Sequence, residues 1–175
     1  HHHPIPSVGG IAFAIGSFAS ILWWGPQSQM KISILLGGLI ILGFGVWDDR
    51  VDLSPRVKFL GQLLAALVIV FVGGIRFESL PVLAHDALPF WIGAPLTLFF
   101  LMAVSNAVNL TDGLDGLAGG LSFLTLCGIG YLAYLSNDIT VLSLTVPLLG
   151  GVLGFLRYNT YPARIFMGDG GSQLL

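Results

Sequence analysis

One cysteine in 175 residues, Cys127, rules out a disulfide within the chain, and four histidines (His1 to His3 and His85) give no zinc-ligand spacing. Charge is almost as scarce. Only 9% of residues are charged, far below the roughly 25% of an ordinary soluble domain, while 55% are hydrophobic. The net charge of -2 and the lack of any basic run exclude a surface that tracks nucleic acid. No stretch alternates apolar and polar residues in the segments of about ten that a membrane β-barrel needs.

What remains is apolar sequence in long runs. Six segments approach the roughly 20 residues that cross a bilayer as a helix: 8–24, 32–47, 59–75, 88–108, 114–135 and 139–156. The second is short, which predicts that Lys31 snorkels outward or that the bilayer thins around it. Cys127 falls inside the fifth span and reads as a small buried residue. Gly16 with Ala12 and Ser20, and Gly150 with Gly154, repeat at the four-residue spacing of close membrane-helix contacts. The expected fold class is therefore an all-α polytopic integral membrane protein with about six transmembrane helices.

If the spans alternate, loops 48–58, 109–113 and 157–172 share one side with the N-terminus. That side carries Arg50, Arg56, Lys58, Arg157 and Arg164, whereas the other holds Lys31 and Arg76. Excess basic residues mark the cytoplasmic side. The external loops, including the one with His85 and Asp86, read as solvated connections.

The acids follow the same asymmetry. Asp48, Asp49 and Asp52, then Asp112 and Asp115, then Asp169 make six of the nine acidic residues, all at cytoplasmic helix ends. Any one of them has an ordinary explanation: Asp52 or Ser54 would cap the third span, Thr111 or Asp112 the fifth, Ser7 the first. Three clusters on one side point further, because carboxylates at membrane level are costly and tend to mark ion or substrate sites. Hard oxygen ligands suit Mg²⁺, which takes one or two carboxylates and completes its shell with water and phosphates. Glycines beside Asp112, Asp115 and Asp169 let a bulky anion approach the backbone. Arg157 and Arg164 offer positive charge for such a ligand.

The stretches "PIPSVGG", "WDDRVDLSPRVKFLGQ", "NAVNLTDGLDGLAGG" and "NTYPARIFMGDGGS", in that order over nearly the whole chain, resemble the polyprenyl-phosphate N-acetylhexosamine-1-phosphate transferases. Within that superfamily the second and fourth are more similar to bacterial enzymes that start O-antigen, enterobacterial common antigen or teichoic acid synthesis than to the peptidoglycan translocase. The resemblance implies transfer of N-acetylhexosamine 1-phosphate from a UDP-sugar to polyprenyl phosphate, giving polyprenyl-diphosphate-sugar and UMP. It implies Mg²⁺, with Mn²⁺ as a substitute, at a multi-pass site on the cytoplasmic face of the bacterial inner membrane.

Residue by residue, the resemblance implies that Asp169 is the metal ligand. Asp48 and Asp49 match the paired aspartates, one of which deprotonates or orients the lipid phosphate. Asn109, Asp112 and Asp115 match the motif lining the nucleotide-sugar site. Phe166 matches a ring that stacks on uracil, Asn159 an amide that helps bind the nucleotide, and Ser7, Gly9 and Gly10 a glycine-rich loop that contacts the ligand.

The departures also carry expectations. Family members have about ten spans and a histidine-containing loop toward the C-terminal end, so this chain reads as one catalytic domain truncated at both ends. His1 to His3 occupy a region that bears an important lysine in the translocase branch. A transporter remains the alternative reading, although its site would lie near mid-membrane between repeated halves. The sequence leaves the sugar, the lipid length and a homodimer open.

Overall fold

The computed structural model describes residues 6–80 and 87–175. His1 to His3, His85 and Asp86 lie outside them. The described chain is all helical: α1 (Gly9–Trp24), α2 (Gln29–Val51), α3 (Pro55–Leu67, running on through a π-helical turn at Val68–Val72), α4 (Phe90–Thr111), α5 (Leu117–Leu135), α6 (Ile139–Asn159) and the short α7 (Asp169–Leu174). Five helices, α2 to α6, are long and apolar enough to cross a membrane. The first of the six expected spans, α1, has 16 residues. At 1.5 Å per residue it reaches about 24 Å, short of a roughly 30 Å hydrocarbon core.

The helices begin and end where local chemistry permits. Ser28 caps α2 by accepting the Lys31 N–H at 3.1 Å, Pro55 opens α3 at a position that needs no donor, and Asp138 caps α6 through the Val141 N–H at 3.0 Å. Several expected caps fall elsewhere. Asp52 ends α2 in the left-handed region instead of starting α3, Asp112 ends α4 instead of starting α5, and Gly116 stands at the N-cap of α5. Val8, not Ser7, precedes α1, and Ser54 makes no side-chain cap bond.

The second span needs neither thinning nor snorkelling, because α2 runs over 23 residues. Lys31 turns inward instead. It is 2% exposed, and its ammonium donates to the carbonyls of Gly25 at 2.9 Å and Leu22 at 3.2 Å. These are orphan acceptors at the C-terminal end of α1, where the helix dipole also favours a cation. Cys127 is exposed on α5, not buried.

Apolar burial gives little drive between helices that already sit in lipid, so close packing and interhelical hydrogen bonds hold such a bundle. Phe18, Ile21, Leu35 and Leu144 join α1, α2 and α6 at one level, and Phe13, Phe155 and Met167 join α1, α6 and the segment before α7 at another. The α1–α6 contact does not run along Gly16, Gly150 and Gly154, which line an open groove of about 280 Å³. It runs through Gly151, against which Ser17 and Phe13 pack, and Ser17 donates to the Pro147 carbonyl at 3.1 Å.

Helix α7 is the element that organises one end of this bundle. It packs against α1, α2 and α4. The approach is backbone on backbone: a Cβ on Gly45 of α2 would collide with Gly170, and one on Gly10 of α1 with Gly171.

Candidate active site

The ends of α2, α3 and α4 and the start of α7 bring the separated motifs together. Asp48 lies in the last turn of α2, not in a loop, with its side chain 3% exposed. Its Oδ1 accepts the Leu53 N–H at 2.7 Å, which closes the turn into α3. Its carboxyl group also bonds the Asp169 carboxyl group. Two such groups need a proton or a cation between them. Lys58 of α3 supplies the cation, 2.6 Å from Asp48 Oδ2 and 3.2 Å from Asp169 Oδ2. Beyond that ion pair, Asp48 Oδ2 has no hydrogen-bond partner among the described residues.

Asp169 opens α7 and is addressed from three helices. Asn109 of α4 donates to its Oδ1 at 3.2 Å and to Ser172 Oγ at 2.7 Å. Asp49 Oδ1 accepts the Asp169 backbone N–H at 3.0 Å. Gly168 makes this approach sterically feasible, since its φ is 75° and a Cβ there would stand 2.6 Å from Asp49 Oδ2. The bond shared with Asp48, then the Asn109 amide and Lys58, hold the Asp169 carboxyl below the usual carboxylate range despite its desolvation.

Asp112, at the end of α4, sits in the same field. Burial, followed by the charges of Asp169 and Asp49, pushes its carboxyl up from 3.8 to about 6. Asp48, Asp49, Asp112 and Asp169 thus form one negative cluster with Lys58 inside it.

Other expected site residues hold the walls. Asn159 is 2% exposed and uses both ends of its amide on backbone, accepting the Gly116 N–H at 3.0 Å and donating to the Ile165 carbonyl at 2.9 Å. Asp115 Oδ2 accepts the Ala163 N–H at 2.9 Å. Together they bind the 112–116 turn to the 160–168 segment. Gly9 and Gly10 are buried and donate to the carbonyls of Phe166 at 3.0 Å and Met167 at 2.8 Å, while Phe166 N–H donates to Pro6 at 3.0 Å. Ser7 is exposed beside Gly168, and Phe166 is half-buried at the same rim. Asp52 stays outside the cluster as the left-handed C-cap that follows α2.

Lys58 and Ser172 were not foreseen. Lys58 had one sequence signal: a cation in the first turn of a helix, where the dipole favours anions, wants a carboxylate nearby. Ser172 had none beyond its place in "GDGGS".

As a donor set, the clustered carboxylates of Asp48, Asp49, Asp112 and Asp169 supply the hard oxygen ligands that suit a divalent cation. No three acidic, histidine or cysteine groups form a preformed cage among the described residues. That arrangement is compatible with an ion held by one or two carboxylates and completed by water and ligand phosphates.

Residues 31–175 match glycosyl transferase family 4. The chain is 41% identical over 177 residues to a probable undecaprenyl-phosphate N-acetylglucosaminyl 1-phosphate transferase of Bacillus subtilis, covering 100% of this chain and 49% of that protein. It is 38% identical over 180 residues to a phospho-N-acetylmuramoyl-pentapeptide-transferase of Caldanaerobacter subterraneus, covering 95% and 56%. A protein of the same name from Enterococcus hirae is 36% identical over 190 residues, covering 97% and 58%. The chain spans about half the length of the curated relatives it matches.

Proposed function

Because the chain belongs to glycosyl transferase family 4, we propose that it carries the charged centre of an enzyme that moves N-acetylhexosamine 1-phosphate from a UDP-sugar to polyprenyl phosphate, undecaprenyl phosphate in bacteria. A phosphate oxygen of the lipid attacks the β-phosphorus of the UDP-sugar. The bond from that phosphorus to the bridging oxygen breaks, and UMP leaves with the oxygen. The product is polyprenyl-diphosphate-sugar, the first membrane intermediate of an envelope polysaccharide such as O-antigen.

The observation that carries this reading is the Asp48–Lys58–Asp169 arrangement at one end of the bundle. Phosphoryl transfer is mostly positioning and charge neutralisation. Asp169 and Asp48 are the residues that would hold Mg²⁺, or Mn²⁺ in its place. When bound, that ion neutralises the diphosphate. Asp49 orients the lipid phosphate and Asp112 lines the nucleotide-sugar site within the same charged cluster, and Lys58 offsets part of their charge. Asn109 fixes Asp169, while Asn159 and Asp115 hold the wall against which the nucleotide rests, with Phe166, Ser7 and the Gly9–Gly10 turn at its rim.

A site at a helix-bundle end lets an apolar acceptor and a soluble nucleotide meet at the membrane surface. The basic residues near that end support the cytoplasmic side of the inner membrane. A transporter would gather polar residues near mid-span, and the carboxylate cluster does not favour that reading. The 41% relative makes UDP-N-acetylglucosamine the first donor to test.

The test is Mg²⁺-dependent UMP release by the full-length protein from UDP-N-acetylglucosamine and undecaprenyl phosphate, beside its Asp169→Asn variant. Release that collapses in the variant and in chelator supports the proposal. Folded protein that releases no UMP from any UDP-N-acetylhexosamine overturns it.

A further inference from the structure

Below the carboxylate cluster lies a second polar layer. Gln62 is one helical turn from Lys58 on α3, and Asn106 is one turn from Asn109 on α4. At the upper turn, Lys58 and Asn109 each take one oxygen of Asp169, both at 3.2 Å. At the lower turn the two amides exchange hydrogen bonds: Asn106 Nδ2 donates to Gln62 Oε1 at 2.7 Å, and Gln62 Nε2 donates to Asn106 Oδ1 at 3.3 Å. Asn106 Nδ2 also donates to the Met102 carbonyl of its own helix at 2.8 Å. Gln62 is 4% exposed. Beside this pair, Ser105 donates to the Gln173 carbonyl at 2.9 Å, tying α4 to α7.

We propose that Gln62 and Asn106 are positioning residues, which set the separation and register of α3 and α4 at which Lys58 and Asn109 both reach Asp169. The inference rests on the transferase reading above. The reason is geometric. Apolar side chains let two helices slide with little change in contact, whereas a reciprocal amide pair is satisfied at one separation and one register. Gln62 is buried while Asn106 is exposed on α4, so loss of the pair leaves the Gln62 amide without a partner inside the bundle. Lys58 projects from α3 within a turn of the pair, and a displacement of α3 against α4, which Ser105 and Asn109 tie to α7, moves Lys58 away from Asp169.

The experiment uses the full-length protein in lipid nanodiscs with Gln62→Leu, Asn106→Leu, the double variant, and the exchange Gln62→Asn with Asn106→Gln. One readout is acetylation of Lys58 by acetic anhydride, measured by mass spectrometry against Lys31, whose burial at the end of α1 makes it a reporter of unfolding. The other is kcat and KM for UMP release from UDP-N-acetylglucosamine.

Each single variant should raise Lys58 acetylation severalfold with Lys31 still protected. It should lower kcat by about tenfold or more with KM little changed, as a misplaced charged group does. The double variant should resemble either single one, since both remove one interaction, and the exchange should recover both readouts. Unchanged Lys58 reactivity in the single variants overturns the proposal. So does a rise at both lysines, which marks the pair as a general helix contact. A parent that releases no UMP sinks the transferase reading, while the labelling still decides whether the pair positions Lys58.

Discussion

The Asp49 carboxylate accepts the backbone N–H of Asp169 at 3.0 Å, joining the end of α2 to the start of α7 across 120 residues of sequence. The bond does for α7 what an N-cap side chain does within a helix, but from another helix. Asn keeps the acceptor and loses the charge; Ala loses both. Asp49→Ala should lower stability by about 1 kcal/mol and Asp49→Asn by a few tenths, measured by thermal unfolding in detergent. Equal losses in the two variants would assign the effect to charge and not to the bond.

Lys58 compensates a carboxylate that is nearly removed from water. Lys58→Met leaves Asp48 with no opposing charge, at a cost of about 1–3 kcal/mol, reduced from a fully buried pair because Lys58 is partly exposed. Adding Asp48→Asn should recover most of the stability and none of the UMP release. A Lys58→Met single variant as stable as the parent would mean that water or another cation already screens Asp48.

Asp112 makes a pH prediction whose sign follows from burial. Its carboxyl lies near 6 when folded and 3.8 ordinarily, so the folded state holds the proton more tightly than the unfolded one. Its ionisation therefore removes stability as pH rises from about 4 through about 6. Asp169 acts oppositely: its lowered carboxyl adds stability above its unfolded value, lost as pH falls through the folded one. Asp112→Asn should flatten the thermal stability profile between about pH 4 and 6 and be more stable than the parent at pH 7. An unchanged profile would mean that neither burial nor the charges of Asp169 and Asp49 raise the Asp112 carboxyl.

Two neighbouring glycines on α2 should respond in opposite directions. A Cβ on Gly45 meets the Gly170 backbone, while one on Gly43 meets nothing within 4 Å. Gly45→Ala should cost about 1–3 kcal/mol by forcing α7 outward, and UMP release should fall with the displaced Asp169. Gly43→Ala should add about 0.5–1 kcal/mol through helix propensity. Unfolding measurements on both variants check the pair, and equal effects would show that α2 and α7 do not meet backbone to backbone.

Much of the fold was legible because apolar runs of about 20 residues admit one solution in lipid, a helix whose backbone bonds are satisfied internally. Helix ends were less legible. Asp48 and Asn109 look like loop residues by polarity, yet both extend their helices, since the next turn was available before Asp52 and Asp112 ended it. Lys31 misled because a lone cation near a span end has two outlets, water or an orphan helix terminus, and only the fold of α1 against α2 supplies the second. The glycine spacing on α1 and α6 named the right helices and the wrong faces, because several glycines per helix allow several close crossings.

Sequence alone settled that this is a helical membrane protein with its acids gathered at one end, since hydrophobic length and charge placement are properties of single segments. Motif resemblance likewise named Asp48, Asp49, Asn109, Asp112 and Asp169. Tertiary structure decided which of these meet: α7 enters between α1, α2 and α4 on bare glycine backbone and delivers Asp169 to Lys58, Asp48 and Asn109. It also assigned Asn159 and Asp115 to bracing the wall. Those assignments depend on distances between residues tens of positions apart, which no periodicity within a segment encodes.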